Sequence, residues 1–260
     1  MRALIWLLSA GALLPAQDVW AQMQPHRAEY TLRLGAAANA PRVGTATQDL
    51  TLDCDGWHLK RDVKGEIPIS ATWKFSVAST LDIEEGRSGD DLRYRALQVQ
   101  NGTERETRGK LQRTDGELHA EILSSDGAAR VPLPTLTRMP IASISYIIDR
   151  LLKGSTSFST LTFDAQAIGD AFRVDVAQID DGALRRRLPS DKPPIVVPGR
   201  SWPVLMGFTR GSKEQHKPIF SFSARLYETG VLDHVTVDAE VVTVTADLGS
   251  LEMRQTPSCR

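Results

Sequence analysis

From residue 26 onward the chain alternates polar and apolar residues with a period of two, and turn-forming residues cut the pattern at short intervals. "HRAEYTLRL" (26–34) is the first such run, followed by "GTATQDLTLD" (44–53), "GWHLKRDVKGEI" (56–67), "ATWKFSVASTLDIEE" (71–85) and "DLRYRALQVQN" (91–101). Successive side chains of a strand point to opposite faces, so this period predicts half-buried strands. The stretches between them, "AAANAPR", "GRSGDD" and "NGT", hold the residues that favour turns. "ETRGKLQRTDGELHAEIL" (106–123) reads as two strands around Thr114-Asp115-Gly116, where Asp-Gly favours a tight hairpin. Further strands are predicted at 159–166, 172–179 and 183–189. Near the end Phe220, Phe222, Ala224 and Leu226 alternate with polar partners before a turn at Glu228-Thr229-Gly230. No alternation of strands and helices is present. The expectation is a mainly β fold built on an antiparallel sheet.

One segment breaks the pattern. In "RMPIASISYIIDRLLKG" (138–154), Ile141, Ile144, Ile148 and Leu151 or Leu152 recur at three- and four-residue spacing. That predicts an amphipathic helix of about 12 residues. Pro140 suits its first turn, Thr137 its cap, and Gly154 the position beyond its end. A helix laid into the mouth of a curved sheet would bury this Ile/Leu face. "PSDKPPIVVPGR" (189–200) carries four prolines and reads as a rigid extended loop.

The compartment decides what the cysteines mean. The chain begins "MRALIWLLSAGALLPAQDVWAQMQ": a positive start, a short apolar run, then small or aliphatic Val19 and Ala21 where a leader peptidase reads. This is the anatomy of a cleavable secretory signal over residues 1–21, and the apolar run is too short to span a bilayer. The mature chain would be one domain, 22–260, with no transmembrane segment. Only two cysteines occur, Cys54 and Cys259. In an oxidising, exported setting they read as a disulfide; in cytosol the same pair would read as free buried thiols. They form no CxxC and no pair of histidines lies near either, which removes thioredoxin-like and zinc chemistry. A bridge would tie the C-terminal strand onto an early one, closing the chain's end against its beginning. Trp57, close to Cys54, would pack beside it.

Motifs for chemistry are missing. His26, His58, His119, His216 and His234 are scattered, and no HExxH, GxSxG, P-loop or GxGxxG is present. The acidic pairs Glu84-Glu85, Asp90-Asp91 and Asp180-Asp181 sit at turns, a setting for solvated carboxylates. "LRRRLP" (184–189) would be a solvated edge strand with Arg185 and Arg187 on one face. Asn101-Gly102-Thr103 matches a glycosylation pattern. Without the leader's Arg2 and Asp18 the chain holds 30 basic and 31 acidic residues, net −1. That excludes a strong field for nucleic acid or anionic membrane. No catalytic residue, metal site or cofactor is expected. A hydrolase would need a pocket gathering His58 or His119 with a carboxylate.

Several stretches together resemble a known family. "PHRAEYTLRL", "LDCDGWHLK", "YRALQVQNGTERETRGK", "LLKGSTSFST" and "LGSLEMRQTPSC" are similar to the EipB family of cell-envelope integrity proteins, periplasmic proteins of alphaproteobacteria. Where that family has Gly-Thr-x-Phe-Pro, this chain has Gly154-Ser155-Thr156-Ser157-Phe158-Ser159, one residue longer and without the proline. The resemblance implies an antiparallel β-spiral, a curved barrel-like sheet coiled around one mid-chain helix. It also implies a disulfide carried here onto Cys54 and Cys259, a periplasmic location, and a role in envelope integrity without enzymatic activity. The implied partner is a periplasmic protein with tetratricopeptide repeats. The alternative is a carrier or chaperone for lipid or lipoprotein acyl chains, using the concave face of the sheet.

Overall fold

The computed structural model describes residues 23–68, 74–165, 171–185, 193–210, 217–239 and 242–259. The N-terminal half is a meander of β1 (His26–Leu34), β2 (Arg42–Leu52), β3 (Gly56–Pro68), β4 (Lys74–Gly86), β5 (Asp91–Gln100), β6 (Thr103–Thr114), β7 (Glu117–Ser124) and β8 (Gly127–Leu133). Then come the short β9 (Thr137–Arg138) and the helix α1 (Pro140–Leu152). The return half is β10 (Ser157–Phe163), β11 (Ala171–Gln178), β12 (Ser201–Arg210), β13 (Phe220–Tyr227), β14 (Leu232–Asp238) and β15 (Thr243–Met253). All fifteen strands form one sheet in the order β8-β7-β6-β5-β4-β3-β2-β1-β15-β14-β13-β12-β11-β10-β9, curled into a nearly closed barrel. The two meanders join where β1 pairs with β15, so the chain's end does meet its beginning.

One strand pair is parallel: β9 with β10, Thr137 opposite Leu161. A hairpin cannot join parallel strands, so the chain needs a crossover there, and α1 is that crossover. The helix thus stands where the topology requires it. Its Ile141, Ile147, Ile148 and Leu151 are buried, and Ile144 and Leu152 pack against the same apolar cluster. The sheet supplies the rest of that cluster in register: Leu50, Leu59, Ile83 and Tyr94 lie side by side across β2–β5. Each such side chain contributes roughly 2 kcal/mol of burial before entropy is charged against it. Gly109 sits beneath Tyr94, where a Cβ would lie 2.5 Å from the ring. The predicted hairpin at Asp115-Gly116 is present, with both residues at positive φ (54° and 83°).

Three sequence expectations are corrected. β8, "GAARVPL", was not foreseen, because Gly127, Ala128 and Ala129 hide the alternation. The predicted strand 183–189 is, in its described part, a single 3₁₀ turn (Asp181–Ala183) leading to Arg185. Arg185 is not solvated but 8% exposed, paired with Asp247 of β15, which Arg33 also approaches at 3.5 Å. Arg187 lies outside the described residues. The third correction concerns the helix start. Thr137 lies in β9, and the capping position is Met139, which has no side-chain cap. The cap comes from β4: the Glu85 carboxylate accepts from Ile141 N at 2.8 Å and from Ala142 N at 2.6 Å. Glu85 is therefore not a solvated turn residue; it is 2% exposed, while Glu84 faces outward. The inward parity of Leu81 and Ile83 carries it there. At the other end Gly154 has φ 82°, its N–H reaches Leu151 O, and Ser155 N reaches Arg150 O, closing the helix as predicted.

Burial pushes the Glu85 carboxyl up to about 7, against the two helix N–H donors that lower it; Asp91 adds to the rise. The folded state thus holds this proton more tightly than the unfolded chain. Its stabilising effect is full below about pH 4.5 and is lost as pH rises through about 7, a change of about 3 kcal/mol. Urea titrations of the wild type and Glu85→Gln should therefore show the wild-type advantage shrinking by about that amount between pH 4.5 and 7.5. A difference independent of pH would refute the assignment.

Candidate functional site: the disulfide tether and the charged outer face

The β2–β3 turn is built by Asp53, whose Oδ1 accepts from Asp55 N and Gly56 N, both at 2.9 Å. Its Oδ2 lies 2.8 Å from His58 Nε2. The bond from Gly56 N, with those from His58 and Asp55, holds the Asp53 carboxyl below its ordinary range. Cys54 at the tip is bonded to Cys259, with Cα atoms 5.5 Å apart across a sequence separation of 205. Arg87 from the β4–β5 turn locks the junction: it donates to Asp53 O at 2.6 Å and to Cys259 Sγ at 3.3 Å. The tail beyond β15 reaches this turn by crossing the outside of the sheet. Arg254 N donates to Pro25 O, and its guanidinium grips Asp49 of β2 through both carboxylate oxygens. Both cysteines are exposed, whereas Trp57 turns inward to the main apolar cluster. The bridge is a surface staple, not the core Trp–disulfide pair that the sequence led us to expect.

Next to the staple the outer face of β2–β5 forms a cleft of about 590 Å³. Its side chains alternate in charge from strand to strand: Asp49, Lys60, Asp82 and Arg95 in one row, Thr51, His58, Glu84 and Arg93 in the next. Opposite charges facing each other across a ladder stabilise it modestly and leave polar groups projecting for recognition. One edge of the cleft ends on Glu106, which accepts from both Arg95 and Arg108; the Arg108 bond is the main reason its carboxyl stays below its ordinary range.

The predicted site residues separate in space. His58 gathers with carboxylates in this cleft, but His119 lies in another, bonded to Glu117 at 3.1 Å. His26 is buried and bonded to Gln24 O, and burial lowers its pKa. His234 bonds to Arg185 O, and His216 lies outside the described residues. Thr51 faces His58 across the ladder, yet among the described residues no hydrogen bond joins them. Asn101 is tied into its turn, its Oδ1 accepting from Ser76 N. Asp90 and Asp91 are exposed, as their turn setting led us to expect, and Asp181 pairs with Arg225 at 2.7 Å. Among the described residues no three His, Cys, Asp or Glu side chains gather as metal ligands, and no helix is long and apolar enough to cross a membrane. The predicted leader, 1–21, lies outside the described residues.

Residues 17–255 match the family model described as EipB-like. The chain belongs to the EipB-like family. The crystal structure of the beta-barrel-like protein of the domain of unknown function DUF1849 from Brucella abortus has the same fold. It aligns with a TM-score of 0.75 at 19% identity, covering 90% of this chain and 99% of that chain. No curated protein matches the sequence. The segment 154–159, which departs from the EipB family pattern, closes α1 and opens β10.

Closing a loop of 205 residues removes unfolded-state entropy worth on the order of 5 kcal/mol. At this size about 1 kcal/mol moves Tm by roughly 2–4 °C. Cys54→Ser and Cys259→Ser should each melt at least several degrees below the wild type in calorimetry. Identical melting of the wild type with and without reductant would remove the staple from the account of stability.

Proposed function

We propose that this EipB-like chain is a non-enzymatic periplasmic protein that supports the cell envelope by binding a protein partner through its outer surface. The observation that carries this reading is how the sheet's interior is used. Inward side chains of both meanders and the face of α1 pack into a main apolar cluster, and a second, smaller one gathers Ala28, Tyr30, Val197, Val231 and Leu248. Beyond the main cluster the inward positions of the N-terminal wall become mixed, with Gln48, Arg61, Ser79 and Gln98 set among Ala46, Val63, Leu81 and Ala96. Arg61 donates to Gln48 at 3.1 Å, and burial lowers its pKa against the opposing charges of Asp164 and Tyr30. A wall carrying a guanidinium and two amides is a poor lining for an acyl chain, which weighs against the carrier alternative. The family and the disulfide favour an oxidising envelope compartment.

A cell lacking the gene should become sensitive to detergent and to cell-wall antibiotics, and the wild-type chain should restore resistance. His58→Ala should restore it equally well. Unchanged sensitivity after deletion would overturn the envelope role. Failure of His58→Ala alone would return the exposed Asp53–His58 pair to consideration as a general base.

A further inference from the structure

β8 and β9 are the two edges of the sheet, and residues 134–136 join them in a tight turn closed by Thr137 N on Pro134 O. Arg113 of β6 pins this turn by donating to Thr135 O and Thr137 O. The free edge of β8 presents backbone donors and acceptors to solvent, and Arg130 is its only charged residue. Pro132 offers no donor to this edge, so another strand would add along residues 127–130.

Two arginines on the β9 side of this turn are held in another way, each against an aromatic ring. Arg95 and Arg108 pair with Glu106, Arg200 with Glu228, Arg225 with Asp181, and Arg254 with Asp49. Arg138 of β9 and Arg150 of α1 pair, among the described residues, with no carboxylate. Each lies over an aromatic ring instead: Arg138 Cζ is 3.9 Å from the Tyr146 centroid, and Arg150 Cζ is 5.6 Å from that of Phe158. The two rings meet edge to face, with centroids 6.2 Å apart at 84°. Arg138, Tyr146, Phe158 and Arg150 thus form one connected row across β9, α1 and β10. The Nε of each arginine is buried with no hydrogen-bond partner, while each residue keeps part of its surface open. The neighbouring carboxylate, Asp149, is already held by Lys153 at 2.8 Å. A ring on one face holds a guanidinium plane and leaves its edge free for a planar oxyanion.

We propose that this row is a docking site for an acidic, extended segment of the partner protein. Its carboxylates engage Arg138 and Arg150 while its backbone adds to the free edge of β8. The proposal rests on the protein-partner reading above and names the surface that serves it. Two ring-held cations and an open strand edge fit a polypeptide that is both acidic and extended.

The test uses the full oxidised protein and a fluorescent ten-residue peptide alternating Glu and Thr, read by anisotropy at low salt. The wild type should bind it. R138Q/R150Q should weaken binding at least tenfold with Tm unchanged, whereas R95Q/R108Q should not. Should the double variant fail to fold, R138Q and R150Q alone should each weaken binding at least threefold. Equal affinity of wild type and R138Q/R150Q, or no binding by the wild type, overturns the proposal. So does arginine-dependent binding of inorganic phosphate or phosphatidylglycerol vesicles without peptide binding, which would assign the row to phosphate. Complementation separates this proposal from the reading beneath it. If the wild type and a folded R138Q/R150Q restore resistance alike, the docking site falls and the envelope role stands. If the wild type itself restores nothing, the envelope role falls and the peptide titration still decides the site.

Discussion

The pairing of β1 with β15 is the contact on which the rest of the molecule depends. Nine residues of the first strand lie against the last, from His26 opposite Met253 to Leu34 opposite Val244. Break that ladder and the sheet falls into two meanders, β8–β1 and β15–β9, joined along the chain by the 134–136 turn. No local preference can form it, since the partners lie more than two hundred residues apart and loop closure must precede any reward. The molecule therefore reinforces this seam from outside. The tail passes over β1, Arg254 grips Asp49 on β2, and the Cys54–Cys259 bond fixes the tail's end at the β2–β3 turn. The staple acts on the costliest contact of the fold, which is why the two thiols stand so far apart in the sequence.

The helix is the second consequence of that topology. Strict alternation over the fifteen described strands would leave β1 and β15 parallel, so their antiparallel pairing requires the chain to run parallel once, and α1 provides that crossover through the apolar cluster. Bringing a helix N-terminus into a barrel leaves backbone N–H groups without water. Glu85 answers that need from a strand 56 residues away, at the cost of a carboxyl whose burial raises its pKa. The cap and the barrel are thus one device: β4 cannot move without uncapping α1.

What the sequence made legible follows from how local each cause is. Strand alternation, the Asp115-Gly116 hairpin, the turn at Gly230 and the Gly154 helix end are set by residues in contact with their neighbours in sequence. Each stands where it was read, except the strand read at 183–189, whose described part holds a 3₁₀ turn. β8 escaped because Gly127, Ala128 and Ala129 carry too little polarity contrast to show a period. The Glu85 cap escaped because its signal is a parity, two residues beyond Ile83, masked by the acidic neighbour Glu84. Arg185 escaped because its partner, Asp247, belongs to a strand 62 positions later, so a basic run read as surface holds a buried ion pair. The Arg138–Tyr146–Phe158–Arg150 row was invisible for the same reason. Tyr146 and Arg150 are one helical turn apart, but Phe158 and Arg138 join them only through the β9–α1–β10 crossover.

A net charge of −1 gives the molecule no long-range field to draw a partner in. Recognition must then come from local pairing at short range, where geometry counts more than total charge. On the outer face of β2–β5 opposite charges face one another across the ladder, and Asp49 and Arg95 are already held in ion pairs. The β9–α1–β10 seam differs in that its two cations are held by rings that cannot neutralise them. An incoming carboxylate at that place breaks no ion pair of Arg138 or Arg150 found among the described residues. Ring-held guanidinium groups, more than the size of any cleft, are the reason to look for the proposed partner at this seam.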